Sequence, residues 1–479
     1  MLFNSLEFFF FFVVVFFLYW FIPIRKWKFR NLLLLIASYY FYSQWDWRFC
    51  FLLGFSTLLD YFSGIAIERS TKKSVKKIWL FLSIIINVGI LGYFKYVNFF
   101  IESFNDLLVS IGFQPNIFSL NVILPIGISF YTFHGLSYVL DIYFGKFKVE
   151  KNIINYSLFV CFFPMLLAGP IERAPHLLPQ LTKGHEFDYN KIVDGMRQFL
   201  WGFFKKVVVA DNCANIVNVV FEDPGNHSGM TLIYAAFLFI FQVYADFSGY
   251  SDMALGTSRM FGIQLMKNFD TPFFSRDMAE FVGRWHISLS TWFKYYIYKP
   301  AVKENSSNIR KYFFVFLIFL ISGFWHGARW TYIVVGFFAA VFVIISIFLR
   351  PYTNRFIHNY KTALKPSVGH ILMVILNLLA ATFLAVIFRN DDMHSSNAYF
   401  YGIITRFSFH FPHYLSWILL LLIFFMLVIE WIGRMDYHIL EKIGKNWPTF
   451  YRWGFYILIL LLIALAMPKN QEEFIYFQF

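Results

Sequence analysis

The chain is short of what a soluble fold needs. Only 14% of its 479 residues are charged, against roughly 25% in ordinary soluble domains. A solvated globular surface of this length is therefore excluded. Its three cysteines, Cys50, Cys161 and Cys213, lie in or beside apolar stretches and show neither pairing nor ligand spacing. That excludes a disulfide scaffold and a cysteine metal site. No linker rich in Pro, Gly or Ser divides the chain, so residues 1–479 are expected to form one membrane-embedded domain. No internal repeat, inverted or parallel, is visible. This weighs against a transporter assembled from repeats.

What the chain has is apolar sequence. Hydrophobic residues make up 59% of it, and 67 residues are Phe. Uncharged segments recur along nearly its whole length. The expectation is an all-α polytopic membrane protein of about eleven spans with re-entrant pieces. Glu7 stands where a cleavable signal would carry basic residues, so the first apolar run, 8–24, is expected to remain as a membrane segment. The formal charge of +13 would suggest nucleic acid in a soluble protein. Here lysines and arginines facing anionic lipid explain it, and no nucleic-acid partner is expected. Basic clusters at 25–30 and 69–77 are separated by two apolar runs, which puts both on the cytoplasmic side. Residues 198–210 carry Lys205 and Lys206 in an otherwise apolar stretch. They read as an interfacial helix whose lysines reach out to water.

Two histidines carry the chemistry. His326 lies in Gly323-Phe-Trp-His-Gly-Ala328, between two long apolar runs. An ionisable side chain at membrane depth is costly and marks a cavity or a partner. Gly323 and Gly327 leave room for a ligand or another backbone. His286 lies in Arg284-Trp-His-Ile-Ser-Leu-Ser290, one turn-back and one span earlier, so both rings can reach the same cavity. A neutral imidazole in a dry pocket can accept a proton from a hydroxyl as it attacks an acyl carbon. The plainer alternative is a packing histidine bonded to a neighbouring helix. The stretch Asp246-Phe-Ser-Gly-Tyr-Ser-Asp252 places two acids and two serines beside an apolar run. It reads either as a substrate-contacting segment or as a helix end capped by Asp and Ser. Residues 267–310 are the least membrane-like part of the centre and bring Arg276, Arg284 and Lys294 among aromatic rings. Such residues suit phosphate and a flat base, or else a membrane-interface belt.

These motifs, in this order, resemble the membrane-bound O-acyltransferases, in the alginate O-acetyltransferase-like branch. The resemblance includes Leu124-Pro-Ile-Gly-Ile-Ser-Phe-Tyr-Thr-Phe133, Ala168-Gly-Pro-Ile171 and Trp201-Gly-Phe-Phe-Lys-Lys-Val-Val-Val-Ala-Asp211. It continues through the 246–252 and 284–293 stretches, Gly323-Phe-Trp-His-Gly-Ala328, and the closing Phe474-Ile-Tyr-Phe-Gln-Phe479. It implies a ring-like helical bundle with a central tunnel in the bacterial cytoplasmic (inner) membrane. It implies that His326 is the catalytic histidine and His286 the second active-site position, with Trp325 and Ser288 beside them. It implies acetyl-CoA as acyl donor, no metal, and a cell-envelope polysaccharide as acceptor, with an extracytoplasmic partner protein taking part in transfer. On this reading Asp246, Ser248 and Asp252 contact substrate, and Arg276, Arg284 and Lys294 meet the donor phosphates. The chain departs from the pattern at Arg329, at Lys294-Tyr295, and at Val335-Gly-Phe-Phe-Ala-Ala340, where relatives often carry a further His. D-alanyl transfer to a wall polymer, a transporter of envelope precursors, and an inactive docking scaffold are the alternatives.

Overall fold

The computed structural model describes residues 1–113, 119–120, 122–353, 367–468 and 474–475. All regular structure among them is helical. Among the described residues, seven helices are long and apolar enough to cross a membrane, or eight if a bent pair counts as one span. The chain is thus a multi-pass membrane protein. The expectation of about eleven spans includes apolar stretches that take other forms here. Residues 158–166 belong to two short helices, Ile153–Cys161 and Phe163–Leu166, separated at the non-helical Phe162, with Pro164 in the first turn of the second. The helix after Pro125 is only Ile128–Tyr143, 16 residues long and buried along nearly all of it. The apolar Trp417–Gly433 has 17 residues, at the short end of the spanning range.

The fold divides into two compact units, Met1–Gly195 with Ala254–Met266, and Met196–Met253 with Lys267–Phe479. In the first, Leu6–Phe21 and Ile24–Asp46 meet at a bend of 109°. Arg30, expected in a basic loop, is turned inward here. Its Nε and Nη2 donate to the Ile22 carbonyl, and its Nη1 donates to that of His185. The rings of Tyr19 and Trp20 cover it. A guanidinium can satisfy several bent-back carbonyls at once, and that is what a sharp chain reversal exposes. Asp60, deep in Arg48–Arg69, accepts from Ser83 Oγ at 2.6 Å and Asn87 Nδ2 at 2.9 Å. Gly127 opens Ile128–Tyr143 in the left-handed region, φ 76°. A Cβ there would run into the Leu166 carbonyl, so the glycine lets two backbones touch.

The second unit carries the candidate site. Asn308–His326 packs along Trp330–Thr353, and Val368–Arg389 lies against the latter. Gly323 and Gly336 set the closeness of the first pair. A Cβ on either would strike a carbonyl of the facing helix, Tyr332 or Phe319 respectively. Small residues at such crossings are the usual device for helix association in lipid. Gly323 thus makes room for another backbone, and Gly327 for the Tyr332 ring. The short helix Met278–Arg284 packs against Trp330–Thr353 and Val368–Arg389, and a second short helix, Ile287–Phe293, packs on Met278–Arg284.

Tyr189–Phe204 runs into a π-helical turn, Lys205–Ala210, and then into Asp211–Glu222. The expectation that Lys205 and Lys206 reach out to water is overturned here. They are 2% and 4% exposed. Lys205 Nζ lies 2.7 Å from Asp252 Oδ2, and Lys206 Nζ lies 2.8 Å from both Asp211 Oδ1 and Asp246 Oδ1. A π-turn widens the helix locally, so two consecutive side chains can both face inward where carboxylates wait.

Candidate active site

His286 and His326 come together as expected. His326 is the last residue of Asn308–His326, and His286 is the residue preceding Ile287–Phe293. Their ring centroids are 6.4 Å apart. Both line one cavity of about 420 Å³, within the size range of small-molecule sites. Its walls are mostly apolar, with Phe281, Leu289, Phe293, Phe319, Ala339 and Phe388 among them. The polar groups facing it besides the histidines include Ser290, Lys294, Tyr298 and Ser322. Trp325 is not a wall residue but packs against both rings, with centroids 5.8 Å from His286 and 5.1 Å from His326. His326 also meets Phe388 edge-on at 5.8 Å, and His286 meets Phe247 edge-on at 4.7 Å.

The backbone of His286 has φ 46° and ψ 53°, the left-handed region. For a residue with a side chain this costs of order 1–3 kcal/mol and persists only where neighbours fix it. The neighbours are in residues 268–270. The Asp270 N–H donates to the Arg284 carbonyl at 3.0 Å, and the Ile287 N–H donates to the Asn268 carbonyl at 2.8 Å. Arg284 Nη1 returns a bond to the Asp270 carbonyl at 3.2 Å. His286 is thus gripped on both sides by one short segment.

The other expected site residues are placed as follows. The Ser288 hydroxyl donates to Asn268 Oδ1 at 2.6 Å, and Ser288 is not a cavity wall. Asp246, Ser248 and Asp252 lie in the middle of Gly229–Met260, away from any helix end, so capping does not explain them. Asp246 Oδ2 accepts from the Ile475 N–H at 2.7 Å, while its other oxygen meets Lys206. Asp252 Oδ1 accepts from Gln198 Nε2 at 2.9 Å, while its other oxygen meets Lys205. Ser248 is buried. Of the closing motif, Phe474 stacks on Tyr250 at 4.7 Å, and residues 476–479 lie outside the described residues. Arg276 and Arg284 both pair with Glu280, and neither lines the cavity; Lys294 does. Arg329 pairs with Asp391 at 2.5 Å.

Two residues of this region were not foreseen. Glu430 is buried in an apolar helix and accepts from the Tyr244 hydroxyl at 2.7 Å, with Lys205 Nζ 3.9 Å away. A lone acid inside an apolar run is itself a signal. Asn268 gives no comparable signal, since its partners are distant in sequence. Among the described residues no group of three or more His, Cys, Asp or Glu side chains is placed to hold a metal ion.

Residues 145–359 match the family model of the membrane-bound O-acyltransferases, a stretch that contains both histidines. The chain is 38% identical over 353 residues to the probable alginate O-acetylase AlgI of Azotobacter vinelandii, covering 73% of this chain and 69% of that one. The chain belongs to the membrane-bound O-acyltransferase family. Within that family it falls in the alginate O-acetylase-like branch. It is 40% identical over 321 residues to the probable alginate O-acetylase AlgI of Pseudomonas aeruginosa, covering 67% of this chain but 61% of that relative. It is 35% identical over 334 residues to the peptidoglycan O-acetyltransferase of Helicobacter pylori, covering 64% and 62%. The chain thus spans less than two thirds of the length of these last two family members. Family membership and the apolar helices together make it a multi-pass protein of the bacterial inner membrane.

Proposed function

We propose that the chain is an O-acetyltransferase of the cell envelope. It moves an acetyl group from a cytoplasmic thioester, acetyl-CoA, to a hydroxyl of an envelope polysaccharide, directly or through an extracytoplasmic partner protein. The observation that carries this reading is the pair of imidazoles on one apolar cavity, 6.4 Å apart. The names of the family members, which speak of O-acetyl transfer to alginate and peptidoglycan, point the same way.

His326 takes the proton of the acceptor hydroxyl as its oxygen bonds to the thioester carbonyl carbon. The carbon–sulfur bond breaks, and the departing sulfur receives that proton. General-base help of this kind contributes about 10²–10⁴-fold. His286 places the acceptor or stabilises charge developing on the carbonyl oxygen. The apolar walls exclude water, which would otherwise hydrolyse the donor. Lys294 faces the donor phosphates. Asp246 and Asp252, which are not walls of the cavity, hold Lys206 and Lys205.

The test uses purified protein in detergent, acetyl-labelled CoA and the membrane fraction as acceptor. Wild type releases free thiol and labels saccharide. His326→Ala lowers both by about 10²-fold or more and elutes unchanged on size exclusion. Near-wild-type transfer by that variant overturns the reading. A transporter of envelope precursors releases no thiol. Activity with a D-alanyl carrier thioester in place of acetyl-CoA would move the assignment to D-alanyl transfer.

A further inference from the structure

We infer that Asn268 is the positioning residue for His286, and that it does this together with Ser251 and Ser288. The inference rests on the transferase reading above and adds to it a residue outside the cavity wall.

Three bonds converge on Asn268. Its Nδ2 donates to Ser251 Oγ at 3.1 Å, its Oδ1 accepts from Ser288 Oγ at 2.6 Å, and its backbone carbonyl accepts from the Ile287 N–H at 2.8 Å. All three side chains are buried. Ser251 belongs to the long helix Gly229–Met260, whereas Ile287 and Ser288 are the two residues that follow His286. Asn268 therefore ties the start of Ile287–Phe293 to a rigid element. The same long helix supplies Phe247, whose ring meets the His286 imidazole edge-on. The bonds fix the backbone after His286, and Phe247 fixes the plane of its ring.

The need for such a tie is local. His286 sits in a left-handed conformation that its own side chain disfavours. Relaxed toward the ordinary helical region, the same backbone would carry the imidazole in a different direction. Misplacement of a catalytic group by about 1 Å can cost on the order of 10²-fold in rate. Asn suits the position because its amide presents both a donor and an acceptor, with no charge to bury. The alternative is that Asn268 merely fills a polar gap in the core. It would then affect stability and leave turnover per folded molecule alone.

The two roles separate in kinetics. Asn268→Ala, Ser288→Ala and the double variant are purified as the full chain. The acetyl-CoA thiol-release assay then gives kcat and the donor KM for each, alongside melting temperature. Positioning predicts that Asn268→Ala lowers kcat by about 10-fold or more while donor KM stays within about twofold. Ser288→Ala lowers kcat less, and adding it to Asn268→Ala lowers kcat no further, because both act through one connection. If Asn268→Ala does not accumulate, the same split read on Ser288→Ala decides. Wild-type kcat in a folded Asn268 or Ser288 variant overturns the inference, as does a raised KM at unchanged kcat. His326→Ala runs beside them. If it keeps full activity, the transferase assignment of the cavity fails. If it is inactive while the Asn268 and Ser288 variants match wild type, only the positioning role fails.

Discussion

Arg276 is tied to Glu280: its Nε lies 3.0 Å from Oε2, and its own backbone N–H donates to that oxygen at 3.1 Å. Arg284 takes the other oxygen of the same carboxylate at 3.0 Å. Two of the three cations expected at the donor phosphates are thus engaged in one ion-pair cluster. Lys294 alone of the three lines the cavity. The expected outcome is that Lys294→Gln raises the donor KM several-fold with kcat nearly unchanged, the signature of lost ground-state binding. Arg276→Gln lowers the melting temperature and leaves the donor KM within about twofold. Steady-state kinetics on both purified variants check this.

Lys206 bridges two buried carboxylates, Asp211 and Asp246. Removing one member of a buried ion pair typically costs about 3–5 kcal/mol, because the charges left behind stay desolvated. Lys206→Met is expected to destabilise by about that much, seen as a large drop in melting temperature or in yield. The triple change that also neutralises both acids, Asp211→Asn and Asp246→Asn, is expected to recover part of the loss.

Gly323 stands where a methyl group would meet the Tyr332 carbonyl. Gly323→Ala must push Asn308–His326 away from Trp330–Thr353, and overpacking of this sort costs about 1–3 kcal/mol. Because His326 ends the displaced helix, the variant is expected to lose most of its kcat even where it still folds. Melting temperature and thiol release on the same preparation test both parts.

The Glu172 carboxylate, fully buried, lies 2.7 Å from His176 Nδ1. Its hydrogen bond raises the His176 pKa above the ordinary 6.5, more than partial burial lowers it. A raised native value means that the stabilisation is complete below the unfolded pKa and fades as pH climbs through the native one. Wild type and His176→Gln are therefore expected to differ in melting temperature at about pH 6 and to converge by about pH 9. A gap that widens with pH would contradict the pairing.

His326 stands out in the sequence because it is an ionisable residue between two apolar runs, where burial has to be justified by chemistry, and His286 because its motif lies one turn-back and one span before it. The inward lysines do not. At 3.6 residues per turn, adjacent side chains point about 100° apart, so a pair of lysines reads as straddling an interface. Only the widened turn at Lys205–Ala210 turns both inward, and nothing in its run of valines announces it. Asn268 was hidden for another reason. Its partners Ser251 and Ser288 lie 17 and 20 residues away along the chain, in different helices. Periodicity speaks only of neighbours on the same element. Apolarity is ambiguous in the same way, since residues 158–169 serve the protein interior here.

The widened turn also sets how this stretch can change over generations. An i to i+5 turn holds one residue more than an α-helical turn. Deleting one position between Lys206 and Asp211 would restore ordinary pitch and leave the flanking helices in phase, because the wide turn is what absorbs the extra residue. Lys206 and Asp211 would then stand four apart and still share a face, but the device that turns two consecutive lysines inward would be gone. Exchange of one aliphatic side chain for another leaves the turn intact. Homologous chains that keep both inward lysines should therefore keep the spacing from Lys206 to Asp211 even where the valines between them vary.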